Sequence, residues 1–169
     1  MLRTLFSLAA LSMLSAAIYA QDPLGLPAGL VNVDCQPQSK QVPIVMIHGT
    51  FASTRRAFSS LAPTLKADGH CLFALNYGRQ NAFSFYGTMD INKSAQQISE
   101  FVQSVLARTG AEKVTLIGHS QGGLLAFKVA RLPELSGRID RLVALAPSLH
   151  GTTRVPADMS SRHCPACVQ

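Results

Sequence analysis

Lys113-Val-Thr-Leu-Ile117 runs into Gly118-His119-Ser120-Gln121-Gly122-Gly123 and then into Leu124-Leu-Ala-Phe-Lys128. The first five residues read as an apolar strand. The last segment reads as a helix over Gly122–Leu132, stopped by Pro133. The join matches G-x-S-x-G, a pattern that lifts a serine onto a sharp strand-to-helix turn. Such a turn strains the backbone at Ser120 and brings positions 118 and 122 together, so side chains there would collide. Gly123 lets the new helix approach the strand. The helix also aims its partial positive charge at the serine. Three fixed residues arise by chance in roughly a few per cent of chains this long, so the context decides. An apolar strand before the turn and an amphipathic helix after it make Ser120 a candidate nucleophile, with Gly118 and Gly122 as the residues that permit the elbow.

The same alternation extends outward. Val42-Pro-Ile-Val-Met46 is a short apolar strand ending in Ile47-His48-Gly49-Thr50. Ala52–Ala67 carries Phe58, Leu61 and Leu65 on one side and predicts a helix, stopped by Asp68-Gly69. Cys71–Leu75 is a second strand. Phe83, Phe85 and Tyr86 lie in a Phe/Gly-rich loop over residues 79–88. Asp90 suits a helix N-cap. The apolar residues Ile91, Ala95, Ile98, Val102, Val105 and Leu106 keep a 3.6-residue period up to Gly110. Ile139–Ala146 is a fourth strand. Apolar strands alternating with helices predict an α/β fold: a mostly parallel sheet with helices on both faces. Right-handed crossovers gather the loops that follow the strands on one edge, where such sheets place their sites. His48, Asn76, Ser120 and His150 fall there.

His48-Gly49-Thr50 ends the first strand, where one N–H can face a developing oxyanion, and the second N–H belongs to the residue after the nucleophile. Thr50 and Gln121 are the expected donors, with Phe51 the alternative to Thr50. His48 is expected to brace the loop rather than take a proton.

Almost half of the residues are hydrophobic, 47%, and the formal net charge is +6. Arg3 followed by an apolar stretch from Leu5 to Ile18, with Ala20 before a polar segment, reads as a signal peptide over residues 1–20. Its apolar core is short for a membrane span. Residues 21–41 form an N-terminal segment, and 42–169 the folded part. The basic residues are scattered without an aromatic platform, which argues against nucleic-acid binding. An exported chain meets oxidising conditions, so disulfides are expected. Cys35 lies just before the first strand and Cys71 opens the second, so the two can bridge. Cys164-Pro-Ala-Cys167 can close on itself, or one of its cysteines can pair elsewhere. With His163 nearby, a metal site is the weaker alternative, and no metal is assigned. Asn92-Lys-Ser94 is a glycosylation sequon that matters only in a eukaryotic host.

Four stretches carry a family resemblance: Val45-Met-Ile-His-Gly-Thr-Phe51, Ala74-Leu-Asn-Tyr-Gly78, Ile117-Gly-His-Ser-Gln-Gly-Gly123 and Leu145-Ala-Pro-Ser-Leu-His-Gly-Thr152. Together the sequence resembles the α/β-hydrolase superfamily and is similar to the secreted class 2 lipases. The resemblance implies ester hydrolysis through a Ser–acid–His triad, with no metal or organic cofactor. The implied substrate is an ester or lipid, met at a lipid–water interface that the apolar loop near Phe83 and Phe85 would suit. No stable protein partner is expected. Short-chain esterase, polyester depolymerase and thioesterase stay open.

In such folds the acid and the His follow the serine in that order. Only the strand at 139–146 follows here, and Ala146-Pro147 ends it where some hydrolases place the acid. His119 lies inside the elbow, His70 precedes a strand, and His163 sits in the Cys-rich tail. His150 is the one candidate base on the correct edge, with Asp158 a weaker candidate to orient it. The expectation is a chain lacking the C-terminal strands and the triad acid and His. The competing expectation is a non-catalytic remnant or binding protein that keeps the fold.

Overall fold

The structure, a computed structural model, describes residues 41–151 and 162–169. The expected signal peptide, Cys35 and Asp158 lie outside the described residues.

Among the described residues, four strands form one sheet: β1 (Ile44–Ile47), β2 (Leu72–Ala74), β3 (Val114–His119) and β4 (Ile139–Leu145). Their order is β2-β1-β3-β4, and every neighbouring pair is parallel. The expected α/β architecture is therefore present, with β1 and β3 in the centre. The order is a consequence of burial. Ile44, Val45, Met46 and Ile47 are buried on both faces of the sheet, and Val114, Leu116 and Ile117 line the neighbouring strand. A strand apolar on both sides has to sit in the middle of a covered sheet.

The helices divide between the two faces. Helix α3 (Ile91–Thr109) and helix α4 (Gln121–Val129) cover one side. There Ile98, Val102, Val105, Leu125 and Val129 pack with Val45, Ile47, Phe73 and Leu116. The short helices α1 (Thr54–Phe58) and α2 (Leu61–Ala67) cover the other, where Phe58 and Ala62 meet Ile44, Met46, Leu72 and Ile117. On that face of β4, Val143 and Leu145 remain exposed.

The single helix expected over Ala52–Ala67 is two helices. Pro63 explains the break. In a continuous helix its ring would meet the Ser59 carbonyl and leave that acceptor without its N–H. The chain restarts at Leu61, which puts Pro63 in the first turn of α2, where no donor is needed. The cap at Asp90 is as expected: its carboxylate accepts from the N–H groups of Asn92 and Lys93. These bonds, the Lys93 N–H foremost, hold its carboxyl below the usual range. Gly110 ends α3 with φ 67°, a left-handed conformation that glycine adopts without a side-chain penalty.

Cys164 and Cys167 form a disulfide within a short 3-10 turn. Its Ala166 N–H donates to Thr88 O, and Gln169 Oε1 accepts from the Ile91 N–H at the start of α3. Cys71 is also disulfide-bonded.

Candidate active site

β3 ends one residue before Ser120, and α4 begins one residue after it. Ser120 itself has φ 56° and ψ −124°, a region that costs a side-chain-bearing residue on the order of 1–3 kcal/mol. Surrounding bonds hold it there. Its N–H donates to Leu145 O at 2.9 Å, and its carbonyl accepts from the Gly123 N–H at 2.9 Å.

The glycines around it answer to space. A Cβ on Gly118 would lie 2.2 Å from Gly122 O, and one on Gly122 would lie 2.1 Å from Ile47 O. Gly123 meets Pro147 in the same way, at 2.7 Å, so the helix is pressed onto the end of β4 as well. The close approach of positions 118 and 122 read from the motif is present.

The loop after β1 lies directly against the serine. A Cβ on Gly49 would fall 2.9 Å from Ser120 Cβ. Thr50 and Phe51 in this loop are the expected alternatives for the first oxyanion donor, and their N–H groups differ in hydrogen bonding. The Phe51 N–H is already given to Tyr86 O at 3.0 Å. The Thr50 N–H has no partner among the described residues. Gln121 is the first residue of α4, so its N–H has no acceptor within the helix. The Thr50 and Gln121 N–H groups are therefore both left without a backbone acceptor among the described residues. The positive φ in this loop falls on Phe51, at 56°.

His48 is fully buried behind the loop. Its Nδ1 lies 2.8 Å from Gly49 O and Nε2 accepts from the Tyr77 N–H at 3.3 Å. One ring nitrogen donates and the other accepts, so the ring is the neutral tautomer protonated at Nδ1. Burial lowers its pKa to about 4, against a small opposing effect of the Gly49 carbonyl. Sequence reading expected His48 to brace the loop, and its bonds are those of a brace. Asn76 on the same edge also holds backbone: its Oδ1 accepts from the Thr54 N–H at 2.8 Å.

The remaining histidines are scattered. His150 lies exposed in the turn after β4, and no hydrogen bond joins it to Ser120 among the described residues. His119 is exposed beside the elbow, and His163 accepts through its carbonyl from Gln80 Nε2. The feature that sequence reading missed is Tyr77. Its hydroxyl donates to His48 O at 2.6 Å and lies 3.1 Å from Gln121 Oε1. A polar tyrosine two residues past an apolar strand on the site edge was the available signal.

The comparisons agree with this geometry. The family model described as lipase (class 2) matches residues 41–163. A triacylglycerol lipase of Vibrio cholerae is 33% identical over 120 residues, covering 69% of this chain and 34% of that protein. A triacylglycerol lipase of Pseudarthrobacter phenanthrenivorans is 33% identical over 99 residues, covering 55% of this chain and 30% of its own length. The chain thus spans about a third of the curated relatives it matches. The Bacillus licheniformis lipase BlEst2 in mature form shares the fold with a TM-score of 0.58 at 18% identity, covering 70% of this chain and 45% of that one. With the family model covering most of its length, the chain belongs to the class 2 lipases.

Proposed function

We propose that this chain supplies the nucleophile and oxyanion part of an exported carboxylic-ester hydrolase acting on ester or lipid substrates. The observation that carries the reading is Ser120, held at φ 56° on the elbow against the loop after β1, while the Thr50 N–H has no partner among the described residues. Ser120 Oγ attacks the ester carbonyl as a general base takes its proton, the carbonyl oxygen becomes an oxyanion that the Thr50 and Gln121 N–H groups would stabilise, the alcohol departs with that proton, and water then releases the acyl group from Ser120. One such donor is worth roughly 3–4 kcal/mol of transition-state stabilisation. Export is supported by the signal-like sequence over residues 1–20 and by the Cys164–Cys167 disulfide.

The test is a p-nitrophenyl alkylphosphonate. The Ser120 Oγ–phosphorus bond forms as p-nitrophenolate leaves. The expected result is one equivalent of p-nitrophenolate per folded chain, with the added mass on the Ser120 peptide, and none from Ser120→Ala. A folded chain that stays unlabelled would count against the reading. One observation favours a second reading, a non-catalytic remnant: no base is bonded to Ser120 among the described residues. Turnover of p-nitrophenyl butyrate distinguishes the two. A rate lost in Ser120→Ala makes His150→Ala the next variant; equal rates with Ser120 still labelled by the phosphonate mean an intact nucleophile without a base, and equal rates with no label favour the remnant.

A lipid–water interface is the setting we infer for this chemistry. Phe83 is 98% exposed and Phe85 69%. Phe85 meets Phe51, 36% exposed, edge to face at 6.0 Å, in the loop beside Ser120. Exposed aromatics grouped in this way suit burial at an apolar boundary. The double variant Phe83→Ser/Phe85→Ser is expected to sediment several-fold less with phosphatidylcholine vesicles at unchanged thermal midpoint. Equal sedimentation would remove the interface from the reading.

A further inference from the structure

Tyr77 reaches both sides of the proposed oxyanion pocket through one atom. Its Oη donates to the His48 carbonyl at 2.6 Å, at the root of the loop that carries Thr50. The same Oη lies 3.1 Å from Gln121 Oε1, the side chain of the residue whose N–H is the second donor. All three residues are buried. A phenol has one proton, so it serves one acceptor at a time unless the Gln121 carboxamide turns over and donates its NH2 to Oη. With the carboxamide turned, Oη donates to His48 O and accepts from the Gln121 NH2, so a single oxygen links the two arms.

The link is anchored elsewhere. The Tyr77 ring stacks on His48, with centroids 4.3 Å apart and planes 17° apart. Its N–H donates to His48 Nε2. Its carbonyl accepts from the Gly87 N–H at 2.9 Å, and a Cβ on Gly87 would strike Gly49 O at 2.8 Å. The ring is therefore fixed by packing and by backbone bonds independent of the hydroxyl. Burial pushes the phenol pKa far up, so Oη keeps its proton throughout the ordinary pH range.

We propose that the Tyr77 hydroxyl is the strut that sets the separation of the Thr50 and Gln121 donors, a positioning residue for Ser120 chemistry that couples the loop after β1 to the start of α4. The proposal rests on the ester-hydrolase reading above for its catalytic consequence, while the coupling itself stands on geometry. Oxyanion donors act only when held in place before charge develops, and a misplacement of about 1 Å costs on the order of 100-fold.

The experiment uses Tyr77→Phe, which keeps the ring and its stack on His48 and removes only Oη, with Gln121→Met and the double variant beside it. The maximal rate of Ser120 phosphonylation by the p-nitrophenyl phosphonate is expected to fall roughly 10- to 100-fold in each single variant. The half-saturating concentration stays unchanged. The double variant is no slower than the slower single, because both remove one strut. Amide NMR signals give the second readout: Gln121→Met shifts the signal of Thr50, across the strut. A wild-type labelling rate in folded Tyr77→Phe, or a Thr50 signal unmoved by Gln121→Met, overturns the proposal. Should the unsubstituted chain itself fail to label, the hydrolase reading falls and the Thr50 signal alone decides the strut.

Discussion

Gly122→Ala is expected to destabilise the domain by about 4 kcal/mol or more, at the upper end of single-residue effects. The added Cβ would lie 2.1 Å from Ile47 O and 2.5 Å from His48 O. Both are backbone atoms of the central strand and its loop, so no side chain can turn aside. Relief requires α4 to move off the sheet, which breaks the packing of Leu125, Ala126 and Val129. Gly110→Ala is the control. It has φ 67° but nothing within 4 Å of the added atom, so it carries only the cost of a left-handed alanine, roughly 1 kcal/mol. Urea midpoints of the two variants separate the explanations. Equal, small losses would mean that the elbow glycine is needed for conformation and not for room, contrary to the observed contacts.

Acidification is expected to cost the fold roughly 3 kcal/mol between pH 6.5 and pH 4 through His48 alone. Burial lowers its pKa from 6.5 to about 4 in the folded chain. Between those values the unfolded chain binds a proton that the folded chain refuses, so stability falls as the pH drops. Above pH 6.5 both states are neutral at this residue and its contribution is flat. Below about pH 4 both are charged and the loss is complete. The magnitude follows from about 1.4 kcal/mol per pKa unit. The charged ring would also lose Nε2 as an acceptor for the Tyr77 N–H. Urea unfolding across this range should show the slope, and it should flatten in His48→Asn. Because that variant can fail for other reasons, the ring proton shift of His48 in the native chain gives a second measure. A midpoint near 6.5 would contradict the buried, neutral brace.

Most of the candidate site was legible because it is local. Gly118, Ser120 and Gly122 lie within five residues, and the collisions that demand glycine occur between atoms that a tight turn always brings together. The cap at Asp90 and the stop at Gly110 are also properties of neighbouring residues. Pro63 held the break between α1 and α2 in plain view. The apolar spacing of Phe58, Leu61 and Leu65 hid it, since a stripe survives a break that preserves the facing side.

The amino-acid sequence by itself determined the alternation of strands and helices, the elbow at Ser120, and the edge of the sheet on which His48, Asn76 and Ser120 meet. These follow from periodicity, from the chirality of crossovers and from steric limits within a turn. Only the tertiary structure decided the order β2-β1-β3-β4. It also decided that the Phe51 N–H goes to Tyr86 while that of Thr50 stays free, and that one hydroxyl of Tyr77 meets both His48 and Gln121. Each of these is a competition among donors and acceptors far apart in the chain. Residue 77 reaches Gln121 across 44 positions, and a local pattern contains no information about a partner until packing has brought the two together.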